Sequence, residues 1–310
     1  MRILGHIHTL NDEDVIERAI EALARGTYPV AEILVVDNGS TDRTLDRISS
    51  RAVTILRHTN NRGTSGAVAT GFQYALSKGY DWVWVLDADS VPRKDALEKL
   101  VELYSSLSAE AQSEIGILSS VMDPALRVPP IDYGLLTTTG PRPAKIDASQ
   151  PYCECDCTIW SGSLFNLQVV RKVGLPRVGG GGFWDDLSLD WGDIEFTYRI
   201  KQAAHRILVH RASIMDHPIG ASTQRSVFRR TVVTTNHLPV RRYLYFRNMV
   251  YFWLYVHSQR SLVRIVAHLW ARILIALAKI VTMEDERLAK VGAVLRGAWD
   301  GYRKELHHRY

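Results

Sequence analysis

The stretch Asp81-Trp82-Val83-Trp84-Val85-Leu86-Asp87-Ala88-Asp89 constrains the fold of this chain more than any other. Five consecutive apolar residues, mostly β-branched or aromatic, are the pattern of a strand buried on both faces of a sheet. The run breaks at Asp87-Ala88-Asp89 and is followed by Ser90-Val91-Pro92 and a new helical pattern. Two carboxylates one residue apart at the open end of a central strand can share one hard divalent cation, Mg²⁺ or Mn²⁺. Such an ion keeps positions free for phosphate oxygens. An isolated Asp-x-Asp is more often a solvated turn beside a helix start. Its meaning therefore depends on what the neighbouring strand ends carry.

Those neighbours are legible. Residues Ile3 to Thr9 make a short first strand, and Asn11 is placed to cap a helix with Asp14 three positions on. Val15, Ile16, Ala19, Ile20 and Leu23 form that helix's buried stripe, and residues 26–29 break it. Glu32 to Asp37 is a second strand, ending in the turn Asn38-Gly39-Ser40-Thr41-Asp42, with Ser40 or Thr41 as cap of a short helix to about Ser50. Val53 to Leu56 is a third strand. Asn60-Asn61-Arg62-Gly63 then opens a helix with Ala67, Val68, Gly71, Phe72, Ala75 and Leu76 on one face. Three strand–helix units feeding the Trp82 strand imply right-handed crossovers and a parallel sheet, whose ligands bind at the carboxyl ends of the strands. Thr9, Asp37, Asn61, Arg62, Asp87 and Asp89 all fall at those ends. That convergence favours a shared site over a set of separate turns.

Downstream, residues 94–106 are expected to be a helix, with strands over 115–119, 134–139 and 153–160. Ser161-Gly162-Ser163-Leu164-Phe165 is expected to be a tight turn, followed by a helix to Val173. The four glycines at 179–182 fit either a loop over a site or a plain linker, since their ordering entropy is large. Trp191-Gly192-Asp193-Ile194-Glu195-Phe196 opens a helix whose first-turn carboxylates suit the helix dipole. Residues 207–209 read as a strand and 215–220, which include His217, as a turn. All three cysteines lie at 153, 155 and 157. Alternation along one strand would send the three thiols to one face, too cramped for disulfide geometry, as in a core strand kept in a reducing compartment.

The formal net charge of +5 is concentrated. Residues 241–310 hold thirteen Lys/Arg against five Asp/Glu, so the rest of the chain is slightly acidic. Residues 265–282 are mostly apolar but carry His268, Arg272 and Lys279, which argues against a spanning helix. Amphipathic helices packed on the domain, lying on an anionic bilayer or docking a partner fit this tail. The opening Met1-Arg2-Ile3-Leu4-Gly5-His6 has no apolar signal-peptide stretch, so a cytoplasmic location, with peripheral contact on the inner face of the plasma membrane, is expected. The acidic clusters beside the site speak against a nucleic-acid partner.

The order of these signals resembles the family 2 glycosyltransferases, inverting enzymes of the GT-A fold. It rests on strand-Thr-x-Asn, Val-Asp-Asn-Gly-Ser-Thr-Asp, Asn-x-Gly before a helix, Asp-Ala-Asp, Ser-Gly-Ser-Leu, Trp-Gly-Asp-Ile-Glu-Phe and a late His. The segment around Asp193 and the Arg-Tyr-x-Tyr-x-Arg-Asn tail look most like the rhamnosyl- and galactofuranosyltransferase branch. The resemblance covers residues 1–250. It implies an α/β fold, Rossmann-like with a mostly parallel central sheet, and an α-helical C-terminal extension. The expected division is a GT-A domain over 1–240, with its nucleotide-sugar half over 1–120 and its acceptor half over 121–240, and a basic helical region over 241–310.

Carried over by position, the resemblance implies that Thr9 and Asp37 contact the nucleotide base and that Asn61 and Arg62 reach the diphosphate. Asp87, Asp89 and His217 would hold Mn²⁺ or Mg²⁺. Gly162, Ser163 and Trp191 would line the substrate site, Asp193 would be the general base, and Glu195 would bind an acceptor hydroxyl or orient the base. Two departures stand out: Gly192 replaces the first Asp of the family's Trp-Asp-Asp-x-Glu motif, and Leu10 follows Thr9 where an aromatic or Arg is usual. The implied reaction moves a sugar from a UDP- or dTDP-linked donor to a glycan or lipid-linked glycan acceptor, in a monomer or an oligomer. The competing expectations are a catalytically inactive nucleotide-sugar-binding subunit and a sugar-nucleotide nucleotidyltransferase.

Overall fold

The computed structural model describes residues 1–122, 133–137, 140–144, 149–177, 189–217, 223–227, 230–257 and 261–306. The first part alternates strand and helix: β1 (Ile3–Thr9), α1 (Ile16–Ala24), β2 (Glu32–Asp37), α2 (Thr44–Ile48), β3 (Thr54–Arg57), α3 (Gly63–Ser77) and β4 (Trp82–Asp87). The four strands lie in the order β3-β2-β1-β4 and all pair in parallel. Alternate residues serve two cores. Ile3, Ile7, Val35, Trp82 and Trp84 face the side covered by α1, while Leu4, Leu34, Val36, Val83 and Val85 face α3. Burial on both faces is why these strands read as unbroken apolar runs.

The chain continues through β5 (Val91–Pro92), α4 (Ala96–Ser106), α5 (Ala109–Glu114), β6 (Ile115–Met122), β7 (Tyr133–Thr137), β8 (Gly140–Pro143), β9 (Tyr152–Cys155) and β10 (Cys157–Thr158). Next come β11 (Ser163–Asn166), α6 (Leu167–Val173), α7 (Gly192–Gln202), β12 (Arg206–Asp216), β13 (Thr223–Val227) and β14 (Arg230–Thr234). Among the described residues the main sheet has nine strands. It extends beyond β4 as β11-β6-β12-β5, with β9 also on β12. Strand β11 runs antiparallel between β4 and β6, whereas β6 and β12 pair in parallel.

Several sequence expectations are corrected here. Asn11 does not cap α1; its Oδ1 instead accepts from the Thr41 amide at 2.8 Å, and the helix starts five residues on. Neither Ser40 nor Thr41 caps α2, because the Ser40 hydroxyl is turned back onto Asp37. Residues 163–166 form a central strand rather than a turn, and only Ser161 and Gly162 make the bend before it. Gly162 has φ +77°, and a Cβ there would sit 2.7 Å from Met215 Cε, so the bend needs glycine on both counts. The expected strand over 153–160 is broken at Asp156. Its first half pairs with β12 and its second with β7, so Cys155 and Cys157 enter different cores. The three thiols therefore do not share a face, although all are free. Strand β12 is longer than expected and runs to the residue before His217. The four-glycine segment lies outside the described residues.

The C-terminal part is helical: α8 (Pro239–Tyr251), a π-helical turn over Phe252–Val256, α9 (Leu262–Met283) and α10 (Arg287–Arg303). Its core is continuous with the rest of the molecule, since Leu136, Cys157 and Tyr198 pack with Phe246, Phe252, Trp253 and Leu269. Helix α10 lies tightly on α8. A Cβ at Gly297 or Gly301 would come within 2.3 Å of Tyr243 O or 2.2 Å of Arg247 O respectively, so glycine permits backbone contact between the two helices.

Candidate active site

Asp87 is the last residue of β4, and Asp89 follows on the loop to β5. Strand β5, only two residues long, pairs antiparallel with the end of β12 (Met215 opposite Pro92, Asp216 opposite Val91). This pairing delivers His217 to the loop after β4. Its Nδ1 lies 3.2 Å from Asp89 Oδ1 and its Nε2 lies 3.7 Å from Asp87 Oδ2. One ligand atom from each of Asp87, Asp89 and His217 falls within 4.8 Å of the others, and all three side chains are partly exposed. Two carboxylates and an imidazole are a hard-to-borderline donor set suited to a divalent ion such as Mn²⁺ or Mg²⁺.

Three residues that the sequence did not single out hold this cluster. The register of β1 and β4 sets His8 beside Asp87, with His8 Nε2 2.9 Å from Asp87 Oδ1. Ser161 Oγ accepts from the Asp87 amide at 3.0 Å and lies 2.7 Å from Ser90 Oγ, which is 2.8 Å from His217 Nδ1. A chain of buried hydroxyls thus ties the end of β4 to Nδ1 of the imidazole and orients the ring. Burial alone would raise the Asp87 pKa. The charges of His8, His217 and Arg241 and the His8 hydrogen bond outweigh it and bring the carboxyl down to about 2.

Asp193 sits in the first turn of α7, partly buried. Its Oδ1 accepts from the Ile194 amide at 2.8 Å. Burial, reinforced by the nearby charges of Asp190 and Asp87, pushes its pKa up to about 7. The turn before it is strained, because Asp190 (φ 52°) and Trp191 (φ 65°) both adopt the left-handed region. Asn248, fully buried on α8, clamps that turn by donating to Leu189 O at 2.7 Å and Asp190 O at 2.9 Å. The Trp191 ring is seated against Tyr245, Phe252 and Trp253. Arg241 forms a fork with Asp190, Nε to Oδ2 and Nη2 to Oδ1, both at 3.2 Å. The charges of Asp190, Asp87 and Asp193 all act to raise its pKa. A cation and three carboxylates therefore share one region, and Tyr245 and Asn248 of the Arg-Tyr-x-Tyr-x-Arg-Asn segment hold the turn that precedes Asp193.

The remaining expected residues spread along the strand ends. Thr9 is buried, with Oγ1 donating to Asp12 Oδ2 at 2.8 Å, and it stands opposite Asp37 in the β1–β2 register. The Asp37 carboxylate is fully buried, accepts from the Ser40 amide and hydroxyl, and pairs with Arg57 Nε at 3.3 Å. Asn61 Oδ1 accepts from the Gly63 amide at 2.8 Å, and Arg62 stands at the start of α3 with a buried, unpartnered Nε. Gly162 and Ser163 line the central strand rather than open space, with Ser163 Oγ donating to Ile159 O at 2.7 Å. Glu195 is 1 % exposed and committed to Arg177 at 3.2 Å and Arg199 at 3.1 Å. Its surroundings are those of an internal ion-pair anchor, not of an open hydroxyl-binding group.

Comparison with known proteins agrees with this geometry. Residues 6–111 match the model for glycosyl transferase family 2. The chain is 24 % identical over 265 residues to galactofuranosyltransferase GlfT1 of Mycobacterium tuberculosis H37Rv, covering 84 % of this chain and 83 % of the relative. It is 35 % identical over 107 residues to undecaprenyl-phosphate mannosyltransferase of Micrococcus luteus, covering 33 % of this chain and 44 % of that one. Among solved structures, S. aureus TarS 1-349 superposes with a TM-score of 0.60 at 15 % identity, covering 99 % of this chain and 82 % of that chain. The mannosyltransferase PcManGT from Pyrobaculum calidifontis, in complex with GDP-Man and Mn²⁺, superposes with a TM-score of 0.59 at 14 % identity, covering 98 % and 88 %. These neighbours share the GT-A architecture of a mostly parallel sheet flanked by helices. Residues 6–111 thus form a glycosyl transferase family 2 domain, and the chain as a whole is similar to glycosyltransferases.

Proposed function

We propose that this protein is an inverting transferase that moves a sugar, such as galactofuranose or rhamnose, from a UDP- or dTDP-linked donor to a hydroxyl of a cell-surface polysaccharide or lipid-linked glycan. The observation that carries the proposal is the electrostatic coupling of two groups at one end of the sheet. The Asp87–Asp89–His217 donor set and the raised-pKa carboxylate Asp193 are close enough for the Asp87 charge to raise the pKa of Asp193. The galactofuranosyltransferase GlfT1 relative, matched over most of both chains, supports the donor class.

Asp87, Asp89 and His217 would hold Mn²⁺ or Mg²⁺, with His8 and Ser90 orienting the ligands. Such an ion, when bound, supplies Lewis-acid neutralisation of charge on a diphosphate. Arg241 and Arg62 add positive charge for the same purpose. Thr9 and Asp37 form the floor for the base; a base reaches the Asp37 carboxylate when Arg57, more than half exposed, swings aside. Asp193 takes the proton of the acceptor hydroxyl as that oxygen bonds to the anomeric carbon. The anomeric C–O bond to the diphosphate breaks on the opposite face, and the nucleoside diphosphate leaves with the bonding pair. A single displacement inverts the anomeric configuration without a covalent enzyme intermediate. A carboxylate with a pKa of about 7 is matched to this task near neutral pH.

The test is a panel of sugar nucleotides scored by thermal shift and by donor hydrolysis, with and without Mn²⁺. The expected result is a Mn²⁺-dependent stabilisation and turnover confined to one uridine- or thymidine-linked sugar. Stabilisation without turnover would instead identify a binding subunit, and turnover that requires added pyrophosphate and releases a nucleoside triphosphate and a sugar 1-phosphate would identify a nucleotidyltransferase.

A further inference from the structure

Helix α9 has its polarity reversed. In a helix packed on a soluble protein, apolar residues face the protein and charged residues face water. Here Ile265, Leu269, Ile273 and Ile280 do face the protein, but three of the helix's polar residues, His268, Arg272 and Lys279, are partly buried on that same side, while Arg264 and Thr282 near its ends are exposed. Arg272 Nη2 donates to Tyr245 OH at 3.2 Å, the His268 ring packs edge-on against Trp253 at 5.3 Å, and burial lowers the pKa values of both His268 and Lys279. The outward face is left to Val263, Val266, Trp270, Leu274, Ile275 and Val281, between 38 % and 80 % exposed. The polar residues that argued against a spanning helix in the sequence are thus the ones turned toward the protein. By length and composition this 22-residue helix suffices to cross a membrane. Its inner side, however, is held by protein, so lipid can reach only one face.

Helix α10 carries a second exposed apolar stripe. Leu288, Leu295, Trp299 and Tyr302 are 49–90 % exposed at spacings of seven, four and three residues, one stripe of a helix that its glycines lock onto α8. The end of that stripe is an aromatic–basic cluster. Tyr255 OH donates to Tyr302 O at 2.5 Å, Lys304 Nζ stands 4.3 Å above the Tyr255 ring, and the Arg303 guanidinium is 5.9 Å from the Trp299 ring. Aromatic rings beside Lys and Arg are the chemistry of the headgroup boundary of an anionic membrane.

We propose that the outward faces of α9 and α10 dock on an anionic phospholipid bilayer, with α9 lying in the plane of the interface and its outward residues in the acyl boundary. Charge selects this occupant. The exposed charged residues within α9 and α10 (Arg264, Arg287, Arg296 and Arg303) are all basic, so a second copy of the same surface would meet like charge, whereas anionic headgroups complement it. The inference stands on the helix faces alone and does not require the transfer reaction.

Flotation of the full chain with vesicles tests it. Phosphatidylglycerol-containing vesicles should carry the protein upward, pure phosphatidylcholine vesicles should carry at least about tenfold less, and added salt should weaken the binding. The Leu274→Glu/Ile275→Glu double variant should lose about tenfold or more of the vesicle-bound fraction. Both positions are more than half exposed, so folding and donor hydrolysis in solution are expected to be unchanged. Equal binding by wild type and double variant, no binding to either vesicle, or resistance to alkaline carbonate extraction overturns the proposal. So does a dimer in light scattering that the double variant dissociates. Donor hydrolysis without vesicles reports on the transfer reading alone, which keeps the two failures apart.

Discussion

His8 Nε2 stands 2.9 Å from Asp87 Oδ1 across two parallel strands, and the other oxygen of that carboxylate faces His217. The register of β1 against β4, not a loop, sets the distance, so the orientation of Asp87 is built into the sheet. His8 is 8 % exposed and its Nδ1 is buried without a partner, which marks Asp87 as its one polar anchor among the described contacts. Replacing His8 by Ala frees the carboxylate to rotate. Affinity for Mn²⁺, measured by calorimetry in the absence of donor, should fall about 10- to 100-fold. His8→Asn should recover part of the loss by offering an amide donor. Undiminished Mn²⁺ affinity in His8→Ala would show that the imidazole only fills space.

Asp193 should impose a pH limb. Its pKa of about 7 means that the base form accumulates as pH rises through 7, so turnover at saturating substrate should climb across that range and then level. Asp193→Asn should lower kcat by about 10²- to 10⁴-fold, abolish the limb and leave the KM for donor within a few-fold. Stability moves the other way. Between the unfolded value near 4 and the folded value near 7 the native state binds the extra proton, so stability falls as pH rises through this window. Above pH 7 the native state bears the full cost of a buried charge that Asn lacks. Asp193→Asn should therefore melt higher than wild type at pH 8, with the gap closing by pH 5. A gap that is the same at both pH values would refute the raised pKa.

The turn that presents Asp193 depends on Asn248. Truncation to Ala leaves the Leu189 and Asp190 carbonyls without their donor, a cost of about 1–3 kcal/mol. It also releases a turn with two residues in the left-handed region. The expected signature is a drop in kcat with the donor KM and Mn²⁺ affinity near those of wild type, because the metal cluster is built from other elements. Equal losses in kcat and in Mn²⁺ affinity would mean that Asn248 supports the whole fold instead.

How much of this was legible in the sequence follows from the range of the interactions. The β1-to-β4 half could be read because each strand is an apolar run closed by a helix nearby, and Asp87, Asp89 and Asp193 carry chemistry in their own residue types. The residues that orient them could not. His8 matters only through the register with Asp87, Ser161 and Ser90 only through β11 and β5, and Asn248 only because α8 folds back on the 189–191 turn. Ser161-Gly162-Ser163 has turn composition, and only pairing with β4 and β6 makes residues 163–166 a strand, β11. The break at Asp156 had no composition signal, since alternation in Cys153–Cys157 is equally good for one strand or two. The orientation of α9 is hidden for a related reason: a sequence shows which residues are polar but not which face the protein takes.

Glu284 should be the residue on which the C-terminal helices most depend for stability. It lies between α9 and α10, 2 % exposed, and accepts from Arg242 on α8 and from the Thr234 hydroxyl at the end of β14. Lys290 Nζ of α10 lies 3.4 Å from its other oxygen and also donates to Asn236 Oδ1 at 2.5 Å. Two cations with little exposure thus share one carboxylate, and removing it leaves both uncompensated. Glu284→Ala should cost about 3–5 kcal/mol in denaturant unfolding, far more than loss of an exposed pair such as Lys99–Glu102, which is worth about 0–1 kcal/mol. Glu284→Gln with Lys290→Met should recover part of the loss, because the pair is removed together and one buried cation goes with it. If the double variant is instead as unstable as the sum of the two single variants, the network contributes through packing rather than charge.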